Sequence, residues 1–130
     1  MTNEETKPIS VYEMPDGKKM IRLKTLDEDF LLDPKHIDNG RWYKFVEATE
    51  RLKELGLTTF NKKQACIIST YNEEIDEVIK VLDGDKLNWE WTVDEYGFNN
   101  SWYYNGYYDT VSLNHKDNKS KVRPIYAVKK

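Results

Sequence analysis

The sequence predicts an α+β fold with antiparallel sheets and helices packed to one side. Helical periodicity is confined to the middle of the chain, from Trp42 to Leu82, whereas short alternating segments bounded by Gly, Pro, Asn and Asp occupy both ends. The final third, Trp89 to Ala127, holds most of the aromatic side chains, interleaved with Asn, Ser, Asp and Gly. Tyr and Trp give large contact area at low entropy cost, and Asn and Ser add adaptable hydrogen bonds. This is the composition of a recognition surface mounted on strands.

Residues 1–8 are expected to form a disordered lead and residues 9–130 a single domain, the size at which one core suffices. Val11 to Met14 and Met20 to Leu26 are β-like and flank Pro15-Asp16-Gly17, which is turn chemistry, so an N-terminal hairpin is expected. Ile21, Leu23 and Thr25 share one face, and an isolated two-stranded hairpin is marginal in water, so the hairpin is expected to join a larger sheet. Phe30-Leu31-Leu32 is a further short strand ended by Asp33-Pro34, and Asp38-Asn39-Gly40 is a loop.

The spacing of Trp42, Phe45, Val46, Thr49, Leu52 and Leu55 predicts a helix over 42–55, with Gly56 as its left-handed cap. Asn61 and Gln64 have the spacing of a capping box, with Phe60 stapling against Ala65, which opens a second helix to about Ser69. Asn72 is placed to cap a third, whose stripe is Ile75, Val78, Ile79 and Leu82. Its Glu73, Glu74, Asp76 and Glu77 form a solvated face. Strands are then expected at Trp89 to Val93, Ser101 to Asn105, Thr110 to Leu113 and Val122 to Val128.

Charged residues make up 33% of the chain, yet 13% aromatics and a net charge of −3 argue for a folded, soluble protein. With 20 basic and 23 acidic side chains well mixed, there is no electrostatic footprint for nucleic acid. Cys66 is the only cysteine, which excludes a disulfide framework, and its apolar neighbours suggest a small core residue. The polar amino terminus carries no apolar run that would act as a signal peptide or membrane span. Cytoplasmic synthesis is expected, a condition that virion components also meet.

Several segments are similar to the C-type-lectin-like domains of unknown function found in bacterial surface proteins and phages. Gly40-Arg41-Trp42-Tyr43 matches that family's Trp-Tyr helix opening, and Leu57-Thr58-Thr59 stands at its Leu-Pro-Thr element, without the proline. Asp83-Gly84-Asp85 matches its helix end. Trp89-Glu90-Trp91-Thr92-Val93-Asp94-Glu95-Tyr96 matches Trp-Tyr-Trp-Ser-Ser-x-Glu-Tyr, with Thr92-Val93 in place of Ser-Ser. Ser101-Trp102-Tyr103-Tyr104-Asn105 matches Ala-Trp-Tyr-Val-Asn, Gly106 replaces the usual aromatic, and Lys121-Val122-Arg123-Pro124-Ile125 matches the closing Val-Arg-Pro-Val. The resemblance spans roughly Gly40 to Ala127 and implies a C-type-lectin-like fold, which brings its termini together in one antiparallel sheet and so implies that Ile21 and Leu23 lie buried beside the final strand near Ile125.

Some relatives in that family are variable proteins of diversity-generating retroelements, whose ligand surface is rewritten at adenine-containing codons. The resemblance therefore implies a non-catalytic module of phage or prophage origin that presents a Tyr- and Asn-rich surface to a protein or glycan. The expected ligand-binding residues are Tyr96, Asn99, Asn100, Tyr103, Asn105, Tyr107, Tyr108, Asn114 and Asn118. Trp89, Trp91 and Trp102 are expected in the core, and Arg123 in a structural ion pair with Asp94 or Glu95. The alternative is a structural or assembly subunit whose aromatic face is buried in an oligomer.

Catalysis is not expected, and neither a cofactor nor a metal is called for. Asp94, Glu95, Asp109, Asp117 and Asn118 offer oxygens for calcium, but the Glu-Pro-Asn and Trp-Asn-Asp triplets of true C-type lectins are absent. Formylglycine-generating enzymes share the broader fold but need a pair of reactive cysteines. His36 and His115 lie far apart with no Ser or Cys motif beside them, and no glycine-rich phosphate loop is present.

Overall fold

The computed structural model describes residues 8–27 and 29–128, so all of the expected N-terminal lead except Pro8 lies outside the described residues. The fold is α+β, with two antiparallel sheets and three helices. Its elements are β1 (Ile9–Glu13), β2 (Lys19–Leu23), β3 (Phe30–Leu32), α1 (Phe45–Leu55), β4 (Thr58–Thr59), α2 (Lys62–Thr70), α3 (Asn72–Val81), β5 (Glu90–Tyr96), β6 (Asn100–Asn105), β7 (Thr110–His115) and β8 (Pro124–Ala127). One sheet has the order β1-β2-β3-β8-β4, the other β5-β6-β7.

The N-terminal hairpin joins the sheet that also holds the last strand. Ile21 pairs with Leu32, and Leu32 pairs in turn with Ile125, so β3 stands between the hairpin and β8. Ile21 and Leu23 are fully buried in the larger core. There they meet Phe30, Leu32, Phe60 from the α2 staple, Ile68 of α2, Ile75 and Ile79 of α3, and Tyr104 of β6. A second core gathers Ile37, Tyr43, Phe45, Ala48, Leu52, Trp91 and Val122 around α1.

Register places the helices on both faces of the three-stranded sheet, not on one side. Side chains alternate along a strand, and Trp91 pairs with Tyr103 while Glu90 pairs with Tyr104. Trp91 therefore faces Phe45 of α1, with ring centroids 5.4 Å apart, whereas Tyr104 faces the core built on α2 and α3. A sheet with apolar side chains on both faces needs cover on both.

α1 begins at Phe45 instead of Trp42. The Tyr43 backbone is already committed to Ser120, donating at 2.8 Å and accepting at 2.9 Å, so it cannot enter a helix. Its hydroxyl donates to Asp38, whose carboxyl is held at about 2 by Arg51 and by that hydroxyl. The buried stripe is consequently Phe45, Ala48 and Leu52, with Val46 exposed. Gly56 caps the helix at φ 67° as expected.

In α2 the Asn61–Gln64 capping box forms reciprocally, at 2.8 and 2.9 Å. Cys66 is exposed, because Ala65 and Ile68 supply the inward face and one residue along the helix from Ala65 is a rotation of about 100° away from it. Asn72 does not cap α3. Its amide donates to Ser69 O at 2.7 Å, and Tyr71 both ends α2 and begins α3.

Candidate recognition surface

The expected ligand-binding residues lie at two ends of the three-stranded sheet. Asn100 and Asn105 terminate β6, and five steps of strand separate them by about 17 Å. Tyr96, Asn99, Asn100, Asn114 and Asn118 belong to one end, Asn105, Tyr107 and Tyr108 to the other, and Tyr103 lies between. No single small ligand spans both.

At the first end, Tyr96 packs edge-on against Trp102, and the Lys62 ammonium stands 3.9 Å from the Trp102 ring centre. Asn118 Nδ2 donates to Asn114 Oδ1 at 2.8 Å, a single bond that ties the two amides together. Asn99 accepts from the Lys116 backbone through its carbonyl. Phe98 is the most exposed aromatic here at 91%, and its place between turn residues hides it in the sequence.

The second end is the tighter construction, and Asn105 organises it. Its side-chain oxygen accepts from Tyr107 N–H at 2.9 Å, Tyr108 N–H at 3.3 Å and the Trp89 indole at 2.9 Å. Its amide donates to the Tyr103 hydroxyl at 3.1 Å. Asn105 therefore shapes the turn and holds neighbouring rings in place, leaving contact with a ligand to the residues around it. Tyr107 and Tyr108 project from this turn 76% and 71% exposed, their rings edge-to-face at 4.8 Å.

Two further contacts fix the turn. A Cβ on Gly106 would lie 2.6 Å from Asn88 Cα, so only glycine permits this approach. Asp109 accepts from the Tyr104 hydroxyl through its carboxylate and from the Ser69 hydroxyl through its carbonyl. Burial and the hydrogen bond to Asp109 both raise the Tyr104 phenol, which stays neutral.

Trp91 is fully buried, Trp102 is half-buried, and Trp89 is 42% exposed, outside either core. Trp89 packs against Trp42 at 6.1 Å between ring centres, and the Lys121 ammonium lies 4.9 Å from the Trp42 ring. Trp42 thus joins this end of the surface. Its helical spacing concealed it, since a residue in phase with an apolar stripe reads as core.

Behind Trp89 lies a buried charge node. Arg123 pairs with Glu90, not with Asp94 or Glu95, donating from Nε to Oε1 at 2.9 Å and from Nη2 to Oε2 at 3.0 Å. The guanidinium also donates to the carbonyls of Asp33, Pro34 and Asp85 at 3.0, 2.8 and 2.6 Å. Asp94 instead accepts from Lys62 N–H, and Glu95 faces Lys116. Burial alone would raise the Glu90 carboxyl, yet Arg123 and His36 hold it down at about 2. His36 Nε2 lies 2.7 Å from Glu90 Oε2 and 3.0 Å from Arg123 Nη2, so the imidazole closes the node between the two charges. Glu90 Oε2 also accepts from Asn88 N–H at 2.9 Å, tying the segment under the β6–β7 turn to the node.

No protein-family model and no curated protein matches this sequence. Among the described residues, no group of three or more His, Cys, Asp or Glu side chains is placed to hold a metal ion. No described helix is long and apolar enough to cross a membrane.

Proposed function

We propose that this chain is a non-catalytic binding module with a C-type-lectin-like fold, of phage or prophage origin, that presents an aromatic surface to a protein or glycan. Antiparallel pairing of β3 with β8, helices between them in sequence and a separate β5-β6-β7 sheet support the fold assignment. The observation that carries the function is the end built on Asn105. Four partly or largely exposed aromatics, Trp42, Trp89, Tyr107 and Tyr108, surround a turn locked by internal hydrogen bonds. Rigid exposed aromatics bind with little entropy left to lose.

A glycan array together with a pull-down from host-surface extracts tests this reading. Tyr107→Ala with Tyr108→Ala should abolish the interactions found with the parent and leave thermal unfolding unchanged. If every interaction survives, the ligand surface lies elsewhere. A second reading, an assembly subunit with its aromatic face buried in an oligomer, is favoured by the exposed Tyr96 and Phe98 at the opposite end. A strict monomer with accessible tyrosines removes it.

A further inference from the structure

Sheet edges expose unpaired N–H and C=O groups, and proteins blunt them with proline, charge, bulges or covering chain. Three of the four edges here are managed. The outer side of β5 is covered, with Trp91 N–H donating to Lys121 O, Lys121 N–H to Trp89 O and Val93 N–H to Phe60 O. A register shift between Trp91 and Glu95 bends the same strand. β4 is only two residues long. β1 lies between Pro8 and Pro15 and ends in Glu13.

β7 is covered only at its last residue, where Asn118 N–H donates to the outward His115 carbonyl at 3.0 Å. Its register on β6 is unbroken from Asn100↔His115 to Asn105↔Thr110. The strand contains no proline and no Asp, Glu, Lys or Arg. Lys116 N–H donates to Asn99 O, which fixes the ladder phase: Asn114, Ser112 and Thr110 bond inward, while Val111 and Leu113 direct N–H and C=O outward. Among the described residues, no backbone hydrogen bond reaches the outer side of Val111 or Leu113. The Leu113 side chain is 41% exposed and pairs across the sheet with Trp102, so an apolar strip continued by Tyr96 runs to this edge.

We propose that β7 pairs with β7 of a second copy, antiparallel about a two-fold axis, joining two three-stranded sheets into one of six strands. Antiparallel pairing of a strand with itself is the isologous contact that two-fold symmetry requires. Self-pairing suits this edge because no like charges meet in any register. Paired copies extend the Tyr96, Trp102 and Leu113 strip across the axis. The inference does not rest on a ligand at the Asn105 end, which stays open in the paired form.

Sedimentation equilibrium of the full chain across a range of concentrations tests it, alongside Leu113→Lys and Leu113→Pro, which respectively place like charges across the axis and remove an outward donor. The parent should reach twice 15.5 kDa, and both variants should stay monomeric with the parent's circular dichroism. Amide hydrogen exchange on the parent decides the matter even if a variant fails to fold. Val111 and Leu113 should be protected at high concentration and exposed on dilution. A parent that remains monomeric throughout overturns the proposal, and so does a dimer in which those two amides stay unprotected or which the folded variants still form. Tyr107→Ala with Tyr108→Ala leaves the mass unchanged, which separates this test from that of ligand binding.

Discussion

Glu90→Gln removes one charge from the buried node and leaves the Arg123 guanidinium, itself fully buried, facing a neutral amide. Removing one partner of a buried ion pair costs about 3–5 kcal/mol, a large share of the roughly 5–15 kcal/mol that holds a domain of this size. Proton linkage gives a similar figure. The Glu90 carboxyl sits at about 2 against an ordinary 4.5, and that difference is worth roughly 3 kcal/mol of folding free energy. Since the folded value lies below the unfolded one, this stabilisation is complete above about pH 4.5 and is lost as pH falls toward 2. Urea unfolding of parent and variant at neutral pH and near pH 3 measures both effects. The variant's midpoint should drop sharply at pH 7, and the gap should narrow near pH 3, where Glu90 takes up a proton in the parent's unfolded chain while the folded carboxyl stays ionised. Combining Glu90→Leu with Arg123→Met should recover much of the loss, because no uncompensated charge then remains. A loss below about 1 kcal/mol at pH 7, or a gap independent of pH, refutes the reasoning.

Leu23→Asp places a carboxylate among Ile21, Phe30 and Leu32 and should cost about 4 kcal/mol or more, read from denaturant midpoints; a variant that melts with the parent would show the hairpin to be an appendage. Gly106→Ala forces a Cβ against the Asn88 backbone and should lower the melting temperature while shifting Trp89 fluorescence. Asn105→Ala removes the acceptor shared by two turn amides and the Trp89 indole; it should cost about 1–3 kcal/mol and speed exchange of the Tyr107 and Tyr108 amides, and unchanged exchange would show that the turn is held elsewhere.

What the sequence discloses is mainly local. The α2 capping box, the Gly56 cap and the alternation of Ile21 and Leu23 involve residues a few positions apart, and their geometry follows from backbone periodicity. Arg123, Glu90 and His36 meet across dozens of residues, so no spacing rule could pair them, and the sequence points to Asp94 or Glu95 instead. Trp42 and Cys66 failed for a related reason. Each lies beside an apolar stripe whose phase is set by a tertiary contact, the Tyr43–Ser120 bridge for Trp42 and the Ala65–Ile68 face for Cys66. The division of the aromatic segment into two ends depends on strand direction, which composition does not encode.

The Tyr107 and Tyr108 side chains make no hydrogen bond to any described residue, while the backbone between them is held by Asn105, Gly106 and Asp109. Shape and chemistry are thus assigned to different positions. Evolution can exchange the two side chains for others at little cost to folding, as long as Asn105, Gly106 and Asp109 stay in place. The loop then works as a socket whose fitting can be changed without rebuilding the mount.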